Sequence, residues 1–155
     1  MNKYNYYYDE YFKDVKDIVE RYKKVPSLHI VGVHRGSLPI AVHLSNVLEC
    51  PMSIVKFQHM DGNDKKAEWL LNLTDDVSIR PDKCKQFFPR LLVIDDVYDT
   101  GTTFRAIKEL PEFQNNPDYC LLALFGNKND VKCSGVHEDL YMWIVYPWER
   151  VAGGM

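Results

Sequence analysis

The sequence has no hydrophobic run long enough to cross a bilayer, no C-x-x-C pair and no excess of basic residues. A membrane-spanning helix needs about 20 predominantly apolar residues, so we expect no membrane contact. The 19 basic and 22 acidic residues give a formal net charge of -3. Nucleic-acid-binding proteins usually carry a basic excess or a basic face, so we expect no nucleic-acid partner. Glycine and proline, at eight residues each, are too ordinary for a collagenous or low-complexity chain.

Cysteine usage points to a reducing compartment. The four cysteines, Cys50, Cys84, Cys120 and Cys133, lie far apart in the sequence, which favours reduced thiols in the cytoplasm over a disulfide or a zinc site. The tyrosine-rich start, residues 1–10, does not have the pattern of a signal peptide. A chain of 155 residues is long enough to bury one self-sufficient core. We therefore expect a single domain over residues 1–155.

The order of apolar patterns predicts an α/β fold. Helical spacing of apolar residues predicts an amphipathic helix over 11–22, and Ser37 and Pro39 indicate the start of a second helix. A third helix is predicted over 104–110. Apolar and β-branched runs predict strands at 28–33, 52–57, 69–73, 90–94, 119–125 and 141–146. Strands that alternate with helices indicate a mostly parallel sheet flanked by helices, whose ligands bind at the carboxyl ends of the strands.

The most specific pattern follows the predicted strand at 90–94. It reads Asp95-Asp96-Val97-Tyr98-Asp99-Thr100-Gly101-Thr102-Thr103. The last four residues offer successive backbone N–H groups and three hydroxyls at the start of a helix, which suit a phosphate monoester. Asp95 and Asp96 can hold sugar hydroxyls or the water shell of Mg²⁺. The structural alternative is that Asp99 and Thr100 merely cap the helix. Because no G-x-x-x-x-G-K-[ST] is present, the site is not a P-loop.

This string resembles the phosphoribosyl pyrophosphate (PRPP) motif of type I phosphoribosyltransferases, with Tyr98 in place of the usual aliphatic residue. The resemblance implies the type I fold, with a mostly parallel sheet flanked by helices and a small C-terminal hood. It also implies that Asp95, Asp96 and residues 99–103 bind the ribose and 5'-phosphate of PRPP. Asp99 would act as the general base that takes the purine N7 proton.

A second loop, His34-Arg35-Gly36-Ser37, follows the first core strand. Taken alone it could be a simple connection, although its backbone amides and Arg35 could hold an anion. Together with the PRPP motif it resembles the pyrophosphate loop of the same family. The resemblance implies that these four residues bind pyrophosphate and that a non-proline cis peptide lies close to His34–Arg35. The family also has a mobile catalytic loop where the polar stretch 59–68 falls, and the sequence leaves open whether Lys65 or Lys66 closes over the site.

The C-terminal segment reads Trp143-Ile144-Val145-Tyr146-Pro147-Trp148-Glu149. By composition it is a final hydrophobic strand whose tryptophans fill a core. It resembles, however, the W-I-x-x-P-W-[DE] ending of the bacterial and archaeal xanthine-guanine phosphoribosyltransferases. The resemblance implies that Trp143 stacks on the purine and that the main chain at Ile144 meets the purine edge. Glu149 would hold a metal ion through water, with Asp96 as the other metal-site acid, and Trp148 would pack behind.

The same family places a lysine beside the 6-oxo group of the purine. Lys128 is the candidate here, and Asn127 is the alternative donor. The resemblance thus implies a Mg²⁺-dependent enzyme of purine salvage that transfers the phosphoribosyl group of PRPP to xanthine, guanine or hypoxanthine. A cytoplasmic homodimer or homotetramer is expected. Two alternatives stay open: a non-catalytic regulator that binds PRPP or nucleotides, and a phosphoribosyltransferase for another base.

Overall fold

The computed structural model describes residues 2–59, 65–71, 90–116, 118–126, 133–138 and 142–150. Helices are interspersed among the strands, as the sequence predicts for an α/β fold. Their bounds are β1 Lys3–Asn5, α1 Tyr8–Tyr22, β2 Leu28–His34, α2 Leu38–Leu48, β3 Met52–His59, β4 Lys65–Leu71, β5 Arg90–Tyr98, α3 Thr102–Lys108, α4 Pro111–Gln114, β6 Tyr119–Gly126, β7 Cys133–Glu138, β8 Trp143–Val145 and a 3₁₀ helix Pro147–Glu149.

The main sheet has the strand order β4-β3-β2-β5-β6-β7. All neighbours in it are parallel except β3 and β4, which form an antiparallel pair. The central strands β2 and β5 pair in register, with Gly32 opposite Ile94. Their carboxyl ends therefore emerge side by side, which places the two sequence-predicted loops next to each other.

The central strands are buried on both faces. Along β5, Leu92 and Ile94 belong to one core cluster, whereas Leu91 and Val93 belong to the other. This alternation follows from the two-residue period of a strand. Helices α1 and α2 supply the first cluster, and α3 and α4 supply the second. An uninterrupted apolar run is the pattern expected of such a strand, and its burial confirms the predicted α/β layering.

The predicted C-terminal hood is a small separate sheet, in which β1 and β8 pair in parallel. Arg150 fastens it, because its Nη2 donates to the carbonyls of Tyr6 and Val145 at 3.1 and 3.2 Å. Two strands, β1 and β7, are not predicted from the sequence, and the short tyrosine-rich segment of β1 has no clear period. The sequence predicts a polar loop over 59–68. This prediction is wrong at His59, which ends β3, and at residues 65–68, because Lys65–Leu71 is a strand paired with β3.

A buried acid on α1 links the hood to the main sheet. The Tyr6 hydroxyl donates to Asp14 Oδ2 at 2.5 Å, and His137 Nε2 on β7 lies 2.6 Å from the same oxygen. The bond to Asp14 raises the pKa of His137.

In the part of the chain that is described, no helix is long and apolar enough to cross a membrane.

Candidate active site at the carboxyl ends of the strands

The first loop of the site begins where β2 ends. His34 and Arg35 are exposed and are joined by a non-proline cis peptide bond, which confirms the expectation from the family resemblance. Ser37 is fully buried, and its hydroxyl donates to the Val33 carbonyl at 2.6 Å. Although Ser37 holds the N-cap position of α2, its side chain does not cap the helix. It closes the loop against the strand instead.

The acid pair lies at the end of β5, which continues beyond the predicted run as far as Tyr98. Asp95 is buried, and its Oδ1 accepts a bond from the Asp96 backbone N–H at 2.9 Å. Burial raises the pKa of Asp95 well above its usual range, and the neighbouring Asp96 charge adds to the shift. Desolvation and a like charge both disfavour ionisation. Asp96 is the more exposed carboxylate of the pair.

The two loops meet at Gly36. A Cβ atom built at this position would overlap the Asp96 carboxylate. Only glycine therefore lets the backbone of the first loop approach this carboxylate without displacing it. The contact joins the predicted pyrophosphate loop to the predicted ribose- and metal-binding acids, which are 60 positions apart in the chain.

The loop after β5 carries the other predicted PRPP-binding residues. Asp99 and Thr100 are exposed, while Thr102 and Thr103 are half-buried at the start of α3. The hydroxyls of Thr100 and Thr102 lie 2.7 Å apart and share a hydrogen bond. Gly101 has a φ of 77°, a left-handed conformation that favours glycine. Gly101 therefore provides the backbone conformation of the turn, and the polar residues Asp99, Thr100, Thr102 and Thr103 flank it in the chain.

Tyr98 explains how the loop accommodates its unusual residue. Its ring is buried and packs on Phe104, with ring centroids 5.4 Å apart. A Cβ at Gly101 would overlap the Tyr98 hydroxyl. The tyrosine thus fills the space beneath the turn, where the family usually has an aliphatic side chain.

The two C-terminal tryptophans have different surroundings. Trp143 on β8 is 60% exposed, whereas Ile144 beside it is buried. Trp148 packs against the core and stacks on Tyr146, with centroids 4.9 Å apart and planes 14° from parallel. The geometry leaves the Trp143 indole available to a ligand and assigns Trp148 to packing. Glu149 Oε2 accepts a bond from the Tyr146 N–H at 3.1 Å, so this carboxylate is tied to its own 3₁₀ helix.

Tyr146 lies in the C-terminal motif but is not among the site residues that the sequence predicts. Its side chain is buried, and among the described residues its hydroxyl has no hydrogen-bond partner. Burial raises the pKa of Tyr146, and the nearby charges of Asp96 and Asp95 add to the effect. An unpaired buried hydroxyl is uncommon. The effect of the Asp95 and Asp96 charges on its pKa shows that the Tyr146 hydroxyl lies near the acid pair.

Several residues that the sequence analysis assigns to the site, or to the loop over it, remain untested. Lys128 and Asn127 lie outside the described residues, as do residues 60–64. Lys65 is the first residue of β4, and the exposed Lys66 follows it in the same strand. The choices between Lys128 and Asn127, and between Lys65 and Lys66, stay predictions.

The acid pair has the chemistry of a site where Mg²⁺ is held mainly by its substrate. Among the described residues no cluster of three or more His, Cys, Asp or Glu side chains could hold a metal ion by itself. Mg²⁺ commonly takes one or two carboxylates, waters and substrate phosphate oxygens. Asp96 is a carboxylate of this kind, since it is only partly buried and faces the Gly36 turn. These residues therefore fit the ion.

The sheet order and the two loops at its carboxyl edge define the α/β fold of type I phosphoribosyltransferases. The phosphoribosyl transferase domain family matches residues 8–113. The chain belongs to this family.

The proteins that this chain resembles are named for different bases. The chain is 30% identical over 120 residues to an orotate phosphoribosyltransferase of Methanocaldococcus jannaschii, which aligns 71% of this chain with 60% of that protein. It therefore spans about 60% of the length of this curated relative. Among solved structures, the purine phosphoribosyltransferase of Pyrococcus horikoshii gives a TM-score of 0.75 at 23% identity, covering 100% of this chain and 99% of that one. The xanthine-guanine-hypoxanthine enzyme of Helicobacter pylori gives 0.70 at 19% identity, covering 96% and 94%.

Proposed function

We propose that the protein transfers the 5-phosphoribosyl group from PRPP to a 6-oxopurine, giving a purine nucleoside monophosphate and pyrophosphate. The observation that carries this proposal is the exposed Trp143, which presents an indole face in the W-I-x-x-P-W-E ending. Aromatic faces stack on bases and select a planar ring shape. The named purine activities of the Pyrococcus and Helicobacter proteins support the same choice.

Two loops of the chain would bind the two phosphorylated ends of PRPP. Residues 100–103 would hold the 5'-phosphate, and the backbone of the 34–37 loop would receive the pyrophosphate. Because the leaving group departs as positive charge develops at ribose C1, catalysis would rest on positioning and charge stabilisation. Asp96, with Glu149 acting through water, would hold Mg²⁺, which neutralises charge on pyrophosphate. Trp143 and the main chain at Ile144 would hold the base, and Lys128 would donate to its 6-oxo group.

Asp99 would be the general base of the reaction. It is exposed in the loop after β5 and would take the N7 proton of the purine as N9 attacks. Asp99→Asn should keep the fold and PRPP affinity but lower turnover roughly a hundredfold, the usual scale for a lost general base. Asp17→Asn, on the exposed side of α1, is the matched control. Wild-type turnover in Asp99→Asn would refute the assignment.

A second candidate function is transfer to orotate, which the Methanocaldococcus relative favours. The decisive experiment is a spectrophotometric screen of xanthine, guanine, hypoxanthine, adenine and orotate with PRPP and Mg²⁺. Turnover of a 6-oxopurine supports the proposal, whereas turnover of orotate alone replaces it. PRPP binding without turnover of any base would favour the regulator. The one-domain organisation over residues 1–155, the homodimer or homotetramer and the cytoplasmic location are parts of the same proposal.

A further inference from the structure

Arg105 folds back from α3 onto the loop that precedes it. Its Nη1 donates to the Thr100 carbonyl at 3.0 Å, and its Nη2 donates to the Thr102 hydroxyl at 3.3 Å. Arg105 and Thr102 are three positions apart on α3, a spacing that places side chains on the same helix face. The guanidinium is therefore held at the surface of the predicted phosphate loop.

The Gly101 turn lies between two side chains. Besides overlapping the Tyr98 hydroxyl, a Cβ at Gly101 would lie 3.1 Å from Arg105 Nη1. Tyr98 is buried and Arg105 is exposed. The loop is thus supported from the core by a neutral ring and from the solvent by a cation.

A phosphate bound at this loop would need positive charge nearby. A phosphate monoester carries about -1.5 to -2 charges at neutral pH, whereas the start of a helix supplies roughly +0.5. Asp96, at the end of β5, and Asp99, in the loop that follows, add two acidic side chains. Of the residues that the structure describes in the loop after β5 and in α3, Arg105 is the cation bonded to the loop.

We propose that Arg105 is a binding residue for the 5'-phosphate of PRPP and holds the 99–103 loop in the shape that receives it. This inference rests on the proposed function and adds to it a residue outside the D-D-x-x-D-T-G-x-T pattern. A guanidinium has five N–H donors, and the two loop bonds use two of them. The remaining donors suit phosphate oxygens, which arginine binds with charge-assisted hydrogen bonds.

The test compares calorimetric binding of ribose 5-phosphate and of inorganic pyrophosphate with Mg²⁺ to the full chain. Arg105→Gln should weaken ribose 5-phosphate binding by about tenfold and leave pyrophosphate binding unchanged. Arg105→Lys should recover part of the loss, because it restores the charge without the planar donor pair. Lys108→Gln, one turn further along α3, should bind both ligands like wild type.

Three results would overturn the inference. Equal ribose 5-phosphate affinity in wild type and Arg105→Gln would show that the guanidinium does not contribute. Equal weakening of both ligands in Arg105→Gln, with a lower melting temperature, would show a structural role only. Equal losses in Arg105→Gln and Lys108→Gln would reduce the effect to general charge. If wild-type protein binds neither ligand, the proposed function itself is wrong. The wild-type measurement alone distinguishes that outcome from a failure of the Arg105 inference.

Discussion

Gly36 lies directly against the carboxylate of Asp96, so close that a Cβ atom at position 36 would overlap it. Gly36 belongs to the loop after β2, and Asp96 lies at the end of β5, the neighbouring parallel strand. The contact brings the backbone of the first loop beside a carboxylate. In the proposed function it would bring the pyrophosphate of PRPP and Mg²⁺ to one point.

Gly36→Ala should weaken PRPP and Mg²⁺ binding, because the new methyl group displaces the Asp96 carboxylate. We expect the KM for PRPP and the Mg²⁺ concentration for half-maximal rate to rise about tenfold or more, with a loss of stability under about 1 kcal/mol. The matched control is Gly32→Ala, whose Cβ would lie 2.8 Å from the Ala41 Cβ between β2 and α2. That variant should lower the melting temperature instead. The same KM values in Gly36→Ala and wild type would contradict the proposed role of this contact.

Trp143 and Trp148 should respond differently to truncation. Trp143→Ala removes an exposed indole and should raise the KM for the base by the equivalent of about 1–3 kcal/mol, while the KM for PRPP changes little. Trp148→Ala removes packing against Tyr11 and Tyr146 and should lower thermal stability by about 3 kcal/mol. Steady-state kinetics with each substrate varied in turn, together with thermal melts, test both. The reverse assignment of effects would remove the main support for a purine acceptor.

Two buried tyrosines offer a matched stability test. The Tyr146 hydroxyl has no partner among the described residues, so Tyr146→Phe removes an uncompensated polar group and should stabilise the unliganded protein by about 1 kcal/mol. The Tyr6 hydroxyl bonds to the buried Asp14, so Tyr6→Phe should destabilise the protein by roughly 1–3 kcal/mol. Urea denaturation of both variants gives the two signs. Destabilisation of Tyr146→Phe would mean that this hydroxyl does have a partner.

His29 should cause a loss of stability in mild acid. Its ring is buried and its Nε2 shares a hydrogen bond with Ser53 Oγ at 2.8 Å, and burial lowers its pKa to about 4. The unfolded chain, with an ordinary histidine pKa of about 6.5, binds a proton first as the pH falls. The free energy of unfolding should therefore decrease between about pH 6.5 and 4, by up to about 3 kcal/mol. Denaturation from pH 4 to 7 measures this slope, which His29→Gln should reduce.

For His137 the change of stability with pH has the opposite sign, because stability falls as the pH rises. Its pKa is raised by the hydrogen bond with Asp14, so the stabilising contribution is complete below about pH 6.5 and is lost as the pH rises through the folded-state pKa. His137→Gln should flatten this alkaline decline without changing the acid slope assigned to His29. A stability profile with the same alkaline decline in His137→Gln and wild type would contradict the role of the Asp14 bond.

Local patterns predict most helices, strands and site loops of this protein. The apolar run at 90–94 indicates a strand buried on both faces, and Gly101 and the threonines indicate a turn before a helix. These features depend on residue period, side-chain shape and backbone freedom over a few neighbouring positions. The same local information carries the family resemblance, because the PRPP motif is continuous in the chain.

Tertiary structure alone decides the contacts between distant segments. Gly36 meets Asp96 because β2 and β5 pair in one register, and β1 becomes a strand only because β8 offers it a partner. The short segment Lys3–Asn5 has too little length to show a period, so its pairing is invisible to pattern analysis. The different surroundings of Trp143 and Trp148 likewise depend on which surfaces the hood covers. Sheet register and packing are collective properties of the whole chain, and for this reason local sequence patterns do not determine them.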